Sequence, residues 1–381
     1  MWTGHVSGPP AGQPPVPTDA GNLGTTNAAA TSLATGVPGV AASAKKPFLP
    51  AFLSWPIVVT GVPTIIVLLL LIFTAPTAFA LGFVPIIFVM PVLLWIDRIE
   101  PEPWSSKIHS FLWGAFVAGF ISVIVNTTVG VFFGEAASAV ASAPIIEETT
   151  KTLAIVWMVR RKEIDGPMDG IVYAGWSALG FAVIENMSFF QQALVNEMLV
   201  EVFVGRALLT PFAHPLFTMW AGLAIGLAVR KRKSLWTGIW GLFVAMFLHA
   251  AWNGSLVLAE NGGGFITIIV LLLFVGLFFL SGFGIRSLRQ RDQQRYAQLV
   301  PFLASRYQLG INRTALLLDY KLRKQARVKI KDKAQLRQFQ LEAGALVRLA
   351  ALFDHDDMPK REDEARLYSQ LVAAQSEPLE T

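Results

Sequence analysis

Eight long apolar runs fill the sequence between Ala51 and Ile285. Each run is long enough to cross a hydrocarbon core of ~30 Å as an α-helix. The runs are continuously apolar and lack the alternation of membrane strands, so helices are the form that satisfies their backbone hydrogen bonds. We therefore predict an all-α fold, a polytopic membrane bundle of about eight transmembrane helices, with Pro85 and Pro91 kinking the second. The predicted spans are 51–73, 77–96, 110–132, 136–160, 168–190, 202–229, 235–258 and 263–285.

Composition supports this class and excludes others. Hydrophobic residues make up 54% of the 381-residue chain and charged residues only 15%, where a soluble domain carries about 25% charged residues. One globular core of this size cannot bury that excess, so a single soluble enzyme is excluded. The chain has no cysteine, which excludes disulfides, thiolate metal sites and cysteine nucleophiles.

Two polar segments flank the apolar region. Residues 1–50 are rich in Pro, Gly and Ala and are expected to be a disordered cytoplasmic segment. Residues 286–381 are more basic than acidic and show helical apolar spacing, which predicts a helical cytoplasmic extension. Its basic opening, 286–295, is expected to contact the anionic inner leaflet rather than nucleic acid. The predicted domains are thus 1–50, an eight-span membrane protease-like domain at 51–285, and 286–381.

The distribution of Lys and Arg among the loops predicts the orientation. The loops after the second, fourth and sixth spans contain Arg98 and Lys107, then 160–162, then 230–233, whereas the opposite loops contain only Arg206. Positive residues favour the cytoplasmic side of a membrane. Both termini are therefore expected to be cytoplasmic, in a multi-pass protein of the plasma membrane.

The fourth span contains ionisable residues that are costly inside a membrane. Glu147 and Glu148 are adjacent, and Lys151 follows at helical spacings of four and three residues, within reach of both. An internal ion pair that only holds helices together would use one glutamate and the lysine, but it would leave the second carboxylate uncompensated. The pattern therefore favours a functional site over a structural ion pair.

Three later spans contribute further polar residues. These are Glu185, His214, and the pair His249 and Asn253, which lie one turn apart on one helix face. With successive helices running in opposite directions, Glu147, Glu185, His214 and His249 all fall roughly 8–18 Å below the outer surface. We therefore expect one water-containing site in the outer half of the bilayer.

These residue types suit two hydrolytic mechanisms. A glutamate could act as general base on a water while His249 and Asn253 stabilise the oxyanion. Alternatively, Glu147, Glu185, His214 and His249 could hold a Zn²⁺ that activates the water. The sequence leaves both open. It also leaves open a proton-coupled transporter or channel, because ionisable residues mark proton pathways, and a non-catalytic membrane scaffold.

The order of these motifs resembles the PrsW family of intramembrane proteases. The likeness covers roughly 75–260 and rests on Glu147-Glu148-x-x-Lys151, Phe181-x-x-x-Glu185, His214 and His249-x-x-x-Asn253, together with the loop Asp97–Trp104. The family is similar in turn to the CAAX prenyl endopeptidases and the bacteriocin-immunity membrane proteins.

This resemblance implies an intramembrane endopeptidase that acts on a membrane-anchored substrate, such as an anti-sigma factor. It implies Glu147 as catalytic base and Glu148 as a partner oriented by Lys151. It further implies His249 and Asn253 as the oxyanion site and His214 as an additional site residue. Glu185 stands where the CAAX enzymes have a histidine.

Overall fold

The chain is helical in nearly all of the part that its computed structural model describes, which is residues 50, 52–259, 262, 264–353 and 361–376. No strand occurs among these residues, which confirms the all-α prediction. The segment 1–50, expected to be disordered, lies outside the described residues apart from position 50.

The apolar region folds into α-helices of very different lengths, and segments of π-helix interrupt them. Three of these segments lie wholly among the described residues, namely Trp113–Ala118, Ser138–Ser142 and Val204–Leu209. The α-helices are α1 (Trp55–Thr74), α2 (Pro76–Gly82), α3 (Val84–Asp97), α4 (Trp104–Leu112), α5 (Gly119–Phe133), α6 (Glu135–Ala137), α7 (Ala143–Arg160), α8 (Pro167–Val195), α9 (Leu199–Phe203), α10 (Ala213–Arg230), α11 (Ile239–Leu258) and α12 (Gly264–Arg306).

Among the described residues, seven helical stretches are long and apolar enough to cross a membrane, and each corresponds to one of the predicted spans. The remaining predicted span, 136–160, is also helical from Glu135 to Arg160, but its charged residues lower its mean hydropathy. The second predicted span is interrupted at Phe83, because α2 ends at Gly82 and α3 begins at Val84, one residue before Pro85, whereas Pro91 lies within α3. The protein is thus a polytopic helical membrane protein.

α8 is the central helix, and it is buried over most of its length. Its closest neighbour is α10, and glycines allow the two backbones to meet. A Cβ on Gly170 would lie 2.1 Å from the carbonyl oxygen of Gly222, and a Cβ on Gly222 would lie 2.2 Å from that of Gly170. Small residues at such crossings are a common means of packing membrane helices.

The outer helices expose large apolar side chains, as expected for surfaces that face lipid. On α1, Val59 is 62% and Phe73 84% exposed, and on α12, Phe265 is 75% and Phe279 69% exposed. Soluble proteins rarely expose so many large apolar side chains to water. These helices therefore form the lipid-facing rim around α8.

The C-terminal extension consists of α13 (Ile311–Leu318), α14 (Tyr320–Lys329), α15 (Lys333–Phe353) and α16 (Arg361–Ser376). It has its own apolar core, which contains Leu303, Leu317, Leu346 and Leu371. α12 runs without interruption from the apolar region into this core. The predicted boundary between the membrane domain and the extension, at 285/286, therefore lies within a helix, and the division into two domains stays a prediction.

The basic opening of the extension does not face outward at every position. Arg289 is 5% exposed, and its guanidinium lies 4.4 Å from the ring centre of Trp95 on α3. The hydroxyl of Tyr296 donates to Glu100 Oε2 at 2.7 Å. Arg289 within the basic opening therefore packs against the end of α3, and Tyr296, directly after this opening, contacts the loop that follows α3.

Candidate active site

α7 brings the two adjacent glutamates into the interior of the bundle. Pro144 lies in the first turn of this helix, directly after the π-helical segment Ser138–Ser142. Two turns after Pro144, Lys151 Nζ lies 2.7 Å from Glu148 Oε1 and 3.6 Å from Glu147 Oε2. All three side chains are at most 4% exposed. One ammonium group thus faces two buried carboxylates, as the helical spacing predicted.

Glu148 is held by contacts with three helices. Its Oε1 contacts Lys151 and lies 3.0 Å from His249 Nδ1 on α11. Its Oε2 accepts a hydrogen bond of 2.8 Å from the hydroxyl of Thr218 on α10. The ring of Phe217 stacks on His249 with 5.1 Å between ring centres. Glu148 therefore fixes the position of the lysine and of the histidine ring.

Glu147 differs from Glu148 because one of its oxygens has an ion-pair contact but no hydrogen bond. Asn126 on α5 donates to Glu147 Oε1 at 3.1 Å, and Ser142 in turn donates to Asn126 Oδ1 at 2.7 Å. Among the described residues, Glu147 Oε2 is buried without a hydrogen-bond partner. His249 Nε2 lies 3.8 Å from it, a separation that a bridging water or ion would fill.

Glu185 and His214 extend the cluster. His214 Nδ1 lies 3.1 Å from Lys151 Nζ, and His214 Nε2 lies 2.8 Å from Glu185 Oε2. Arg206 forms an ion pair with Glu185, and its Nε donates to Asn186 Oδ1 at 2.7 Å. A continuous series of polar contacts thus links Glu148 on α7 to the π-helical segment Val204–Leu209.

The partners of the two histidines assign their protons. An ammonium has no acceptor, so the contact with Lys151 makes His214 Nδ1 the acceptor and leaves the N–H at Nε2, facing Glu185. For His249 the order is reversed, because the Glu148 carboxylate accepts from Nδ1–H. In the neutral ring, the free lone pair of His249 Nε2 therefore points toward Glu147.

A cavity of about 390 Å³ lies over these groups. Asn253 lines it, but its Nδ2 donates to the carbonyl oxygen of Ala139 at 2.8 Å and not to a glutamate or histidine. Of the predicted site residues, six are therefore joined by direct contacts and Asn253 lies at the wall. The other polar groups at the wall include Glu147, Glu185, His214, His249, Asn126 and Arg206.

Four residues of this site, Asn126, Ser142, Arg206 and Thr218, were not identified from the sequence. Asn126 is an asparagine inside an apolar span, and the same feature identified Asn253, so the sequence did contain a signal for Asn126. Arg206 counted only as a loop charge, and Thr218 is a residue type common in membrane helices. The π-helical segments had no sequence signal, yet two of them carry site groups, Ser142 and Arg206. Such segments often occur at functional sites.

The donor set suits a metal ion in part. Ligand atoms of Glu147, His214 and His249 all lie within 4.8 Å of one another. The free Glu147 Oε2 and the bare His249 Nε2 point toward each other, and Glu148 holds the far nitrogen of His249, as carboxylates do behind metal-bound histidines. Glu185, the fourth predicted ligand, contacts His214 instead of joining this trio. Both ring nitrogens of His214 already have partners, Lys151 and Glu185, so His214 would have to give up one of these contacts to bind an ion.

Comparison with known proteins gives a consistent result. Residues 102–281 match the protein family described as PrsW family intramembrane metalloprotease. The chain is 32% identical to "Protease PrsW" of Geobacillus kaustophilus over 214 residues, which cover 54% of this chain and 88% of the relative. It is 29% identical to "Protease PrsW" of Clostridioides difficile over 212 residues, covering 52% of this chain and 84% of the relative. No solved structure matches the chain.

The matched region contains all seven predicted site residues and the residues that line the cavity, apart from Pro85. It leaves out most of the C-terminal extension. The similarity to a relative that is matched over most of its own length establishes the relationship and the enzyme class. The chain belongs to the PrsW family of intramembrane proteases.

Proposed function

We propose that this protein hydrolyses a peptide bond of a membrane-anchored protein with a water molecule activated by Glu147. The single observation behind the proposal is the contrast between the two adjacent glutamates. Both oxygens of Glu148 form hydrogen bonds with the protein, whereas Glu147 Oε2 has no hydrogen-bond partner among the described residues, and Glu147 lines a cavity of about 390 Å³.

In the proposed step, Glu147 removes a proton from water as the water oxygen attacks the peptide carbonyl carbon. The carboxyl group then gives that proton to the leaving nitrogen as the C–N bond breaks, so no covalent enzyme intermediate forms. Asn126 orients Glu147 through Oε1. Glu148 and Lys151 hold the surrounding charges in place.

The proposed oxyanion site needs a proton on His249 Nε2. In the neutral ring, Nδ1–H donates to Glu148 and Nε2 has no hydrogen. His249 can therefore donate to the oxyanion only as an imidazolium, which the adjacent Glu148 carboxylate would stabilise. Asn253 retains one N–H of its amide group beyond the bond to Ala139. We propose these two residues as the oxyanion donors in the metal-free mechanism.

The zinc-dependent mechanism is the alternative. It is supported by His249 Nε2, which has no hydrogen in the neutral ring and could bind a metal ion. Glu147, His214 and His249 would hold the ion, and Glu185 would either be a fourth ligand or support His214. Zinc bound there would polarise the scissile carbonyl and lower the pKa of a bound water. In this mechanism Glu148 positions His249 by accepting from Nδ1. Metal analysis of the purified protein, with His249→Ala beside it, distinguishes the two mechanisms.

The substrate class follows from the family and from the depth of the site. We propose a single-span membrane protein such as an anti-sigma factor, cleaved in the outer half of the plasma membrane. The basic residues of the loops support cytoplasmic termini. Because the chain has no cysteine, single cysteines at Lys162 and at Glu197 can map the two sides. Reaction of Glu197→Cys, and not of Lys162→Cys, with an impermeant thiol reagent on intact cells is the expected result.

The domain boundaries and the wider relatives of the family complete the proposal. We place the membrane protease domain at 51–285, with 286–381 as a separate cytoplasmic extension. We also place the family within the wider group of CAAX prenyl endopeptidases and bacteriocin-immunity membrane proteins. The support is the shared order of an acidic pair followed by polar residues on later spans.

The decisive experiment is cleavage of a membrane-anchored substrate by purified protein in liposomes. Glu147→Gln should reduce kcat by more than about 100-fold, because the general base is lost. Glu201→Gln, which replaces an exposed glutamate on α9, is the matched control and should retain activity. Equal cleavage by the wild type and Glu147→Gln would contradict the role assigned to Glu147.

A further inference from the structure

α14 carries a dense set of positive charges outside the membrane helices. The side chains of Lys321, Lys324, Arg327 and Lys329 are all exposed, and none of them forms an ion pair with any described residue. Two more exposed lysines, 331 and 333, follow, and Asp332 is the single acidic residue between positions 320 and 333. The basic surface, defined here as these six residues, therefore has no acidic partner within the described chain.

The beginning of α14 is fixed next to the end of a membrane helix. Arg323 is 8% exposed and donates to the carbonyl oxygen of Ile99. The guanidinium of Arg98 lies 4.8 Å from the ring centre of Tyr320. Both Arg98 and Ile99 directly follow α3, which ends at Asp97 and belongs to a candidate span. The basic surface thus starts at the level where the protein leaves the bilayer.

The exposed face of α14 also carries apolar side chains. At 100° per residue, the face opposite the buried Arg323 is formed by Lys321, Gln325, Val328 and Lys329. Val328 is 79% exposed, and Leu322, at the margin of this face, is 41% exposed. Lysines that surround exposed apolar side chains are typical of helices that lie in a membrane interface.

We infer that this basic surface binds the anionic phospholipid headgroups of the leaflet next to the end of α3. Its charge is complementary to that leaflet, its position places it at the membrane surface, and Val328 gives it an apolar contact with the acyl boundary. The opening at 286–295 is less suited to this role, because Arg289 packs on Trp95. The contact with lipid would hold the extension against the membrane.

The experiment uses the full chain in nanodiscs of phosphatidylcholine, alone or mixed with phosphatidylglycerol. The absence of native cysteine allows one environment-sensitive label at Val328→Cys. We expect the label to be shielded from acrylamide quenching in the anionic nanodiscs and exposed in the neutral ones. A label at Leu341→Cys, 44% exposed on α15 and outside the basic surface, should be quenched equally in both.

Neutralisation tests the charges themselves. Replacing Lys321, Lys324, Arg327 and Lys329 together by Gln should abolish the shielding at Val328→Cys, since each basic residue near an anionic surface favours the bound state about fivefold. Exchanging Lys for Arg and Arg for Lys at the same four positions retains the charge and should retain the shielding. This pair of variants separates loss of charge from a change in the fold.

Three outcomes would overturn the inference. The label could be equally quenched in neutral and anionic nanodiscs, or the neutralised variant could remain shielded. RNA or an acidic peptide could also shield the label where phosphatidylglycerol does not, which would assign the surface to a macromolecular partner. None of these measurements uses proteolysis, so the result is independent of the proposed catalytic mechanism.

Discussion

The two adjacent glutamates have identical side chains but different surroundings, and this difference separates their proposed roles. Helical geometry places neighbouring residues about 100° apart, so Glu148 points toward α10 and α11 while Glu147 points toward the cavity. Thr218 and His249 hold Glu148. Asn126 holds a single oxygen of Glu147. The chemistry of the pair therefore depends on which helix each carboxylate faces.

The hydrogen bond from Asn126 gives a prediction at the residue scale. Asn126→Ala leaves Glu147 Oε1 without its donor, and a hydrogen bond to a charged group contributes about 1.5–3 kcal/mol. We expect kcat to fall by roughly 10- to 100-fold with little change in KM, measured by steady-state cleavage in liposomes. Thr128→Val is the control, because the exposed Thr128 hydroxyl on the same helix bonds only to the Ile124 carbonyl. Unchanged kcat in Asn126→Ala would remove Asn126 from the site.

At the element scale, the bundle depends on the close crossing of α8 and α10. Every helix that supplies a glutamate or histidine to the site is positioned against one of these two. The crossing needs glycine, because a Cβ at either Gly170 or Gly222 would overlap the opposite carbonyl oxygen. A small separation of α8 from α10 would also move Glu185 relative to His214.

We therefore expect Gly222→Ala to destabilise the protein by about 1–3 kcal/mol, the usual cost of overpacking. The new Cβ would lie 2.2 Å from the Gly170 oxygen, so the helices must move apart. Thermal unfolding in detergent, followed by circular dichroism, measures the change. Gly276→Ala on α12 is the control, because a Cβ there meets nothing within 4 Å, and its unfolding temperature should be unchanged or higher.

At the scale of the whole molecule, the extension contacts the loop after α3 through the half-buried Glu100. Burial, together with the nearby Asp169 charge, raises the pKa of Glu100 to about 8. Burial likewise raises the pKa of Glu102, whose carboxylate accepts a hydrogen bond of 2.6 Å from Tyr173. Tyr296 of the extension donates to Glu100, so the protonation of Glu100 affects this junction directly.

The raised pKa makes the junction pH-dependent. The folded state favours the neutral form of Glu100, so its contribution to stability is complete below the ordinary pKa of 4.5 and is lost as the pH rises through about 8. We expect limited proteolysis of the extension to be faster at pH 9 than at pH 6. Glu100→Gln keeps the neutral shape and should reduce this difference. An identical pH dependence in the wild type and Glu100→Gln would show that other groups control the junction.

The sequence alone predicted the helical membrane class, because long apolar runs have few ways to satisfy their backbone in lipid. It also predicted that Glu147, Glu148, Lys151, Glu185, His214 and His249 would meet, since their depths in successive helices agree. Such arguments work along one axis, the membrane normal. They give the depth of a residue and nothing about its direction around the helix.

That direction was decided only by the tertiary structure. The crossing of α8 and α10, and the π-helical segments beside the site, set which side chain faces which neighbour. They bring in Asn126, Thr218 and Arg206, and they turn Asn253 toward the Ala139 carbonyl. They also leave one oxygen of Glu147 without a hydrogen bond, while both oxygens of Glu148 are hydrogen-bonded. A helical repeat written in the sequence fixes the relative angle of residues within one helix, but the rotation of each helix comes from packing against the others.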